Sequence, residues 1–113
     1  MQIKQGATPA FKPEMRVVRK AADIVWKKHS QELVITSGCE AVPHSAGSYH
    51  PCGWAEDYRT RYFPTIEEVR EVALELAAQI GALIGATTHT FSVGKYQVVI
   101  EKDHIHVEYE GDR

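Results

Sequence analysis

The stretch Tyr96-Gln97-Val98-Val99-Ile100-Glu101-Lys102-Asp103-His104-Ile105-His106-Val107-Glu108-Tyr109 reads as two β-strands joined at Lys102-Asp103, with β-branched and aromatic residues on both sides of a polar pair. A tight two-residue connection sets Glu101 opposite His104 and puts His106 on the same sheet face as His104. Lys-Asp is not a preferred turn pair, so the sequence leaves the loop geometry open. Strict alternation would turn Asp103 away from both histidines, although turn residues often escape alternation.

Two helical patterns and two further strands lie upstream of this hairpin. Pro13 suits a first helical position, and Met15, Val18, Ala22, Val25 and Trp26 recur at three- and four-residue spacing, which predicts a helix over 13–29. Its Lys12, Arg16, Arg19, Lys20, Lys27 and Lys28 read as a solvated outer face, with an anionic cell-wall or partner contact as the alternative. Thr65-Ile66-Glu67-Glu68 has capping-box form after Pro64, and Ile66, Val69, Val72, Ala73, Leu76, Ala77 and Ile80 make a helical stripe. Gly81 and Gly85 weaken the end of that helix, and the residues between them either continue it or pack as a turn. Leu33-Val34-Ile35-Thr36 reads as a buried strand that ends at Ser37-Gly38, and a loop then runs to about Tyr49. Trp54 to Thr60 suits another strand, on which Ala55, Asp57 and Arg59 share one face. Residues 1–12 show no periodicity and read as an extended arm. The expected architecture is α+β: a small antiparallel sheet covered by two main helices.

The chain of 113 residues is expected to form one domain, residues 1–113. With 43% hydrophobic and 25% charged residues it has the composition of a soluble globular protein. A net charge of -2 argues against nucleic acid as the main partner. MQIKQGATPAFKPEM lacks the apolar core of a secretory signal, and no apolar run is long enough to cross a bilayer, so synthesis in the cytoplasm is expected. Cys39 and Cys52 read first as free thiols, then as a loop-closing disulfide or as zinc ligands; the missing signal does not support the disulfide.

Chemistry concentrates in two places. In Ser48-Tyr49-His50-Pro51-Cys52-Gly53-Trp54-Ala55-Glu56-Asp57 a histidine and a carboxylate stand seven residues apart. Joined by His104 or His106, they would supply two nitrogen ligands and one oxygen ligand to zinc and leave a position for water, which is the arrangement of a catalytic zinc. Asp103 or Glu101 could act as the base. The plainer reading makes these histidines surface residues or hydrogen-bonded core residues, and His29 and His89, which carry no motif, are read that way.

The first of these segments fits the SxHxxGxAxD signature of the zinc D-alanyl-D-alanine peptidases at Ser48, His50, Gly53, Ala55 and Asp57. EKDHIHVEY resembles the second signature of the same superfamily, which also holds lysostaphin-type endopeptidases, bacteriophage L-alanyl-D-glutamate endopeptidases and the Hedgehog signalling domain. The resemblance spans about residues 32–109, and small phage or prophage cell-wall peptidases are nearest in size. It implies a zinc metallopeptidase that hydrolyses an amide in peptidoglycan stem peptides, of D-Ala-D-Ala or L-Ala-D-Glu type, by zinc-activated water. Zn2+ is then the cofactor, His50 and Asp57 are ligands, and the second motif admits two registers. In the preferred one His106 is the third ligand, Asp103 the catalytic base and His104 the group that steadies the oxyanion; in the other Glu101 is the base and His104 the ligand.

Ser48 is expected to fix its loop or contact substrate, and His44 to face solvent or support a ligand. Relatives often place an arginine soon after Ser-Gly, where this chain has Cys39-Glu40; Arg59 or Arg61 could compensate as substrate-binding groups. That departure adds weight to endopeptidase over carboxypeptidase activity. A monomer is expected, since zinc chemistry of this kind fits in one subunit, and the resemblance implies action on the cell wall once the protein is released, for example during phage lysis. The alternative from the same superfamily is a non-catalytic Hedgehog-like zinc module for partner or cell-wall recognition.

Overall fold

A computed structural model describes residues 1–10, 12–38 and 54–110. Its elements follow the hydrophobic pattern. The C-terminal hairpin is formed by β6 (Tyr96–Ile100) and β7 (His104–Tyr109), with Ile100 paired to Ile105, Val98 to Val107 and Tyr96 to Tyr109. Glu101 N–H donates to the His104 carbonyl at 2.9 Å, so the connection at Lys102-Asp103, which the sequence left open, is a tight one. β3 (Ala55–Arg59) lies antiparallel beside β7, and β2 (Val34–Ser37) lies antiparallel beside β3.

Among the described residues the sheet has the order β1-β2-β3-β7-β6-β5-β4. Its two ends were not legible in the sequence. β1 (Gln2–Ile3) turns the expected arm into a short edge strand parallel to β2, held by Gln2 N–H to the Leu33 carbonyl at 2.8 Å and Lys4 N–H to the Ile35 carbonyl at 2.9 Å. β4 (Thr88–His89) and β5 (Ser92–Val93) form a small hairpin turned at Thr90, whose φ is 54°. Strands of two residues span a single period, so alternation has no repeat to register.

Both helices cover one face of the sheet. α1 (Pro13–Lys28) and α2 (Ile66–Ile84) bury Met15, Val18, Trp26, Val72, Leu76 and Ile80 against Ile35, Tyr58, Val98, Ile105 and Val107. Trp26 also donates its indole N–H to the Arg59 carbonyl at 3.1 Å and meets the rings of Tyr58 and Phe63 edge-on, each at 5.9 Å. The Thr65 hydroxyl caps α2 by accepting from Glu68 N–H at 3.1 Å. α2 continues through Gly81 and ends at Gly85, which takes a left-handed φ of 73°. Gly81 is small for a packing reason: a Cβ there would lie 2.5 Å from Thr88 Oγ1 and 2.8 Å from the Ala86 carbonyl.

One basic residue assigned by sequence to a solvated face turns inward. Glu56, on the helix-covered face of β3, is fully buried. Its carboxylate accepts from the Arg19 guanidinium at 2.5 and 3.3 Å, from Ala10 N–H at 2.7 Å and from the Tyr58 hydroxyl at 2.8 Å. Arg19 also donates to the Ala10 carbonyl at 2.8 Å, so a single buried carboxylate ties the N-terminal arm, α1 and β3 together. Burial lowers the Arg19 pKa, but the hydrogen bond and charge of Glu56 leave it above its ordinary value; burial pushes the Tyr58 hydroxyl well up.

The far ends of the helices meet at His29. Its Nδ1 lies 3.2 Å from Glu68, its Nε2 contacts Glu75, and the Lys28 ammonium lies 2.6 Å from the same Glu75 carboxylate. Burial disfavours the imidazolium, yet the hydrogen bonds to Glu75 and Glu68 outweigh it and hold the pKa above the ordinary value. A raised folded-state pKa contributes stability that is fully present below about pH 6.5 and is lost as pH rises through the folded value. Wild type is therefore expected to exceed His29→Gln in urea-unfolding stability by more at pH 5.5 than at pH 8.5. An equal difference at both pH values would show that this contact is not charged.

Candidate metal centre

The β3–β7 register pairs Ala55 with Glu108, Asp57 with His106 and Arg59 with His104. Directly paired residues of antiparallel strands project to the same side. The helix side is taken by Glu56, Tyr58, Ile105 and Val107, so Asp57, Arg59, His104, His106 and Glu108 all belong to the opposite face.

On that face imidazoles and carboxylates alternate. Asp103 Oδ1 is 2.8 Å from His104 Nδ1, and His104 Nε2 is 3.5 Å from Asp57 Oδ2. Asp57 Oδ1 is 2.8 Å from His106 Nδ1, and His106 Nε2 is 3.0 Å from Glu108 Oε1. Asp57 sits at the centre of this row and is 9% exposed, unusual for a carboxylate unless it is paired. Burial pulls the His106 pKa down, but the hydrogen bond and charge of Asp57, joined by Glu108, raise it above its ordinary value. The hydrogen bond to His104 holds the Asp103 carboxyl below the usual range, so Asp103 is ionised at neutral pH.

These residues fit a divalent cation by donor chemistry. Asp57 and His106 offer one oxygen and one nitrogen that already face each other. Glu108 stands behind the far nitrogen of His106, and a carboxylate on the second ring nitrogen is the usual partner of a metal-ligating histidine. Glu108 carried no role in the sequence reading, although its two-residue offset from His106 places it on the same strand face.

Of the remaining expected site residues, His50, Ser48, Gly53, His44, Cys39 and Cys52 lie outside the described residues. Arg59 lines a cavity of about 220 Å³ together with Asp57, Asp103 and His104. Glu101 lines a different cavity, with Thr60, Phe63 and Pro64. That separation weighs toward Asp103 over Glu101 as the group serving Asp57.

Asp57 meets each histidine pairwise. Among the described residues, the trio whose ligand atoms all lie within 4.8 Å of one another is His29, Glu71 and Glu75. There the Lys28 ammonium and the His29 ring already engage Glu75, which accounts for the cluster as an ion-paired clamp between helices.

Comparison with family models, with curated proteins and with solved structures finds no match to this chain. The fold and the site define an α+β protein in which adjacent strands share a histidine–carboxylate row.

Proposed function

We propose that the chain is a zinc-dependent peptidase that hydrolyses an amide bond in peptidoglycan stem peptides. The observation that carries this reading is the 2.8 Å contact of Asp57 with His106, which joins motifs 49 residues apart in the chain on one sheet face. Asp57 and His106 would hold the ion, with His50 as the remaining ligand drawn from the first motif. A zinc ion there would supply a water acidified toward neutrality and a Lewis acid for the amide carbonyl.

The chain's own residues divide the remaining work. Asp103, ionised and anchored through Oδ1 to His104, keeps Oδ2 to take a proton from the attacking water and return it to the leaving amine. His104, its Nδ1 against Asp103, would turn Nε2 toward the oxygen that gains charge. Glu108 holds the His106 ring so that Nδ1 is the nitrogen presented beside Asp57.

The test is metal analysis of the purified protein followed by digestion of cell walls, with and without chelator, and mass spectrometry of the released muropeptides. Zinc in stoichiometric amount and new amine and carboxyl termini, lost with chelator, are expected. Tightly held zinc with no bond cut would instead favour the Hedgehog-like binding module. Absence of zinc would remove both readings.

A further inference from the structure

Asp57 projects from β3 where the pairing with β2 loses register. Ile35 pairs with Tyr58 and Ser37 with Asp57, so Thr36 is an extra residue on β2, a β-bulge beside the proposed ligand. Thr36 and Ser37, neighbours in the chain, both line the cavity next to Asp57, and the Thr36 hydroxyl donates to the Asp57 carbonyl at 3.4 Å. A bulge re-aims the side chains around it and interrupts the ladder that would hold them. The N-terminal arm supplies support at this point. After β1 it turns at Gly6, whose φ is 89°, with Ala7 N–H donating to the Lys4 carbonyl at 2.9 Å. Residues 8–10 then lie across Gly38, the residue that follows Ser37. The fit leaves no room for a side chain, since a Cβ on Gly38 would sit 2.1 Å from the Thr8 carbonyl oxygen and 3.1 Å from the Ala10 nitrogen. Ala10 is gripped from the other side as well: its N–H donates to Glu56 at 2.7 Å and its carbonyl accepts from Arg19 at 2.8 Å.

We infer that the N-terminal arm braces the metal centre, with Glu56 and Arg19 as positioning residues for Asp57. The ring of contacts is closed. Glu56 precedes Asp57 in β3 and holds Ala10, the arm lies against Gly38, and Ser37, just before Gly38, is the cross-strand partner of Asp57. A buried ion pair often adds little stability over a well-packed apolar pair, so a fixed geometry is the better account of this one. What Arg19 and Glu56 fix is the backbone of Ala10, and through it both strands that flank the bulge. A ligand needs such support, because a metal site works only while its groups stay within about 0.5 Å of the productive geometry. The inference rests on Asp57 as a zinc ligand and not on an amide as the substrate.

Zinc affinity is read by competition with a chromophoric chelator, at a temperature where circular dichroism shows every variant fully folded. Hydrogen exchange of the Ala10 amide reports the arm separately. Arg19→Met combined with Glu56→Leu removes both groups that hold Ala10 and leaves an apolar pair in their place; Gly38→Ala pushes the arm away from the β2 side. Each is expected to expose the Ala10 amide to exchange and to weaken zinc binding about 10-fold, the lower end for a group that orients a ligand. Arg19→Met with Glu56→Gln returns an acceptor to Ala10 and should recover most of the affinity. A brace that serves stability alone would lower the unfolding midpoint and leave zinc affinity untouched. An Ala10 amide that exchanges freely while zinc is held as in the wild type therefore overturns the inference, and so does an amide that stays protected in both variants. Arm-dependent zinc affinity with no muropeptide cut leaves the brace standing and overturns the hydrolase. Cleavage by a chain whose zinc affinity ignores the arm does the reverse.

Discussion

Asp103→Ala is expected to lower muropeptide hydrolysis by about 10²- to 10⁴-fold, the usual worth of a positioned general base, while the zinc content of the protein stays unchanged. Asp57→Ala is expected to lose both. The two carboxylates differ in their surroundings. Asp57 is buried between two imidazoles, and its removal deletes the carboxylate whose two oxygens meet them, Oδ1 toward His106 and Oδ2 toward His104. Asp103 sits at the hairpin turn with a side chain 72% exposed and touches the site through His104. Removing it costs a proton acceptor and the anchor of one ring but no proposed ligand. Measured together, zinc stoichiometry and cleavage rate separate the roles: full activity in Asp103→Ala would exclude it as base, and loss of zinc would make it part of the metal site. Glu101→Ala is the control for the other register, and its side chain in a separate cavity predicts little effect.

Arg19→Met is expected to destabilise the fold by about 3–5 kcal/mol, the range for breaking a buried ion pair from one side. Glu56 would keep the hydrogen bonds from Ala10 and Tyr58 but lose its cation while remaining inaccessible to water. Adding Glu56→Gln should restore much of the loss, because a neutral amide no longer needs a counter-charge. Urea denaturation of the single and double variants measures both. A double variant no more stable than Arg19→Met alone would locate the cost in lost packing of the arginine stem instead.

Much of the fold was legible because its longer elements have a full period. Pro13 and the Met15–Trp26 stripe marked α1, Thr65 marked the start of α2, and alternation put Asp57 with Arg59 and His104 with His106. What stayed hidden depended on tertiary partners. Nothing local to Arg19 distinguishes it from Arg16 or Lys20 until Glu56 is placed beneath it, and nothing in residues 1–4 signals a strand until Leu33 and Ile35 offer their carbonyls. For the candidate site, the strand faces were readable but the adjacency of β3 and β7 was not, since no spacing in a chain states which strands pair. The resemblance brought Asp57 and His106 to one metal ion but did not state which strands pair.

The β3–β7 pairing also bears on the order in which the molecule is built. β6 and β7 are joined by three residues, Glu101 to Asp103, and can zip within microseconds, whereas Asp57 meets His106 only after a much longer loop has closed. The histidines are thus aligned on their hairpin well before the aspartate arrives. During refolding, secondary structure should recover ahead of metal-binding competence, and a cation present early would find a half-built site.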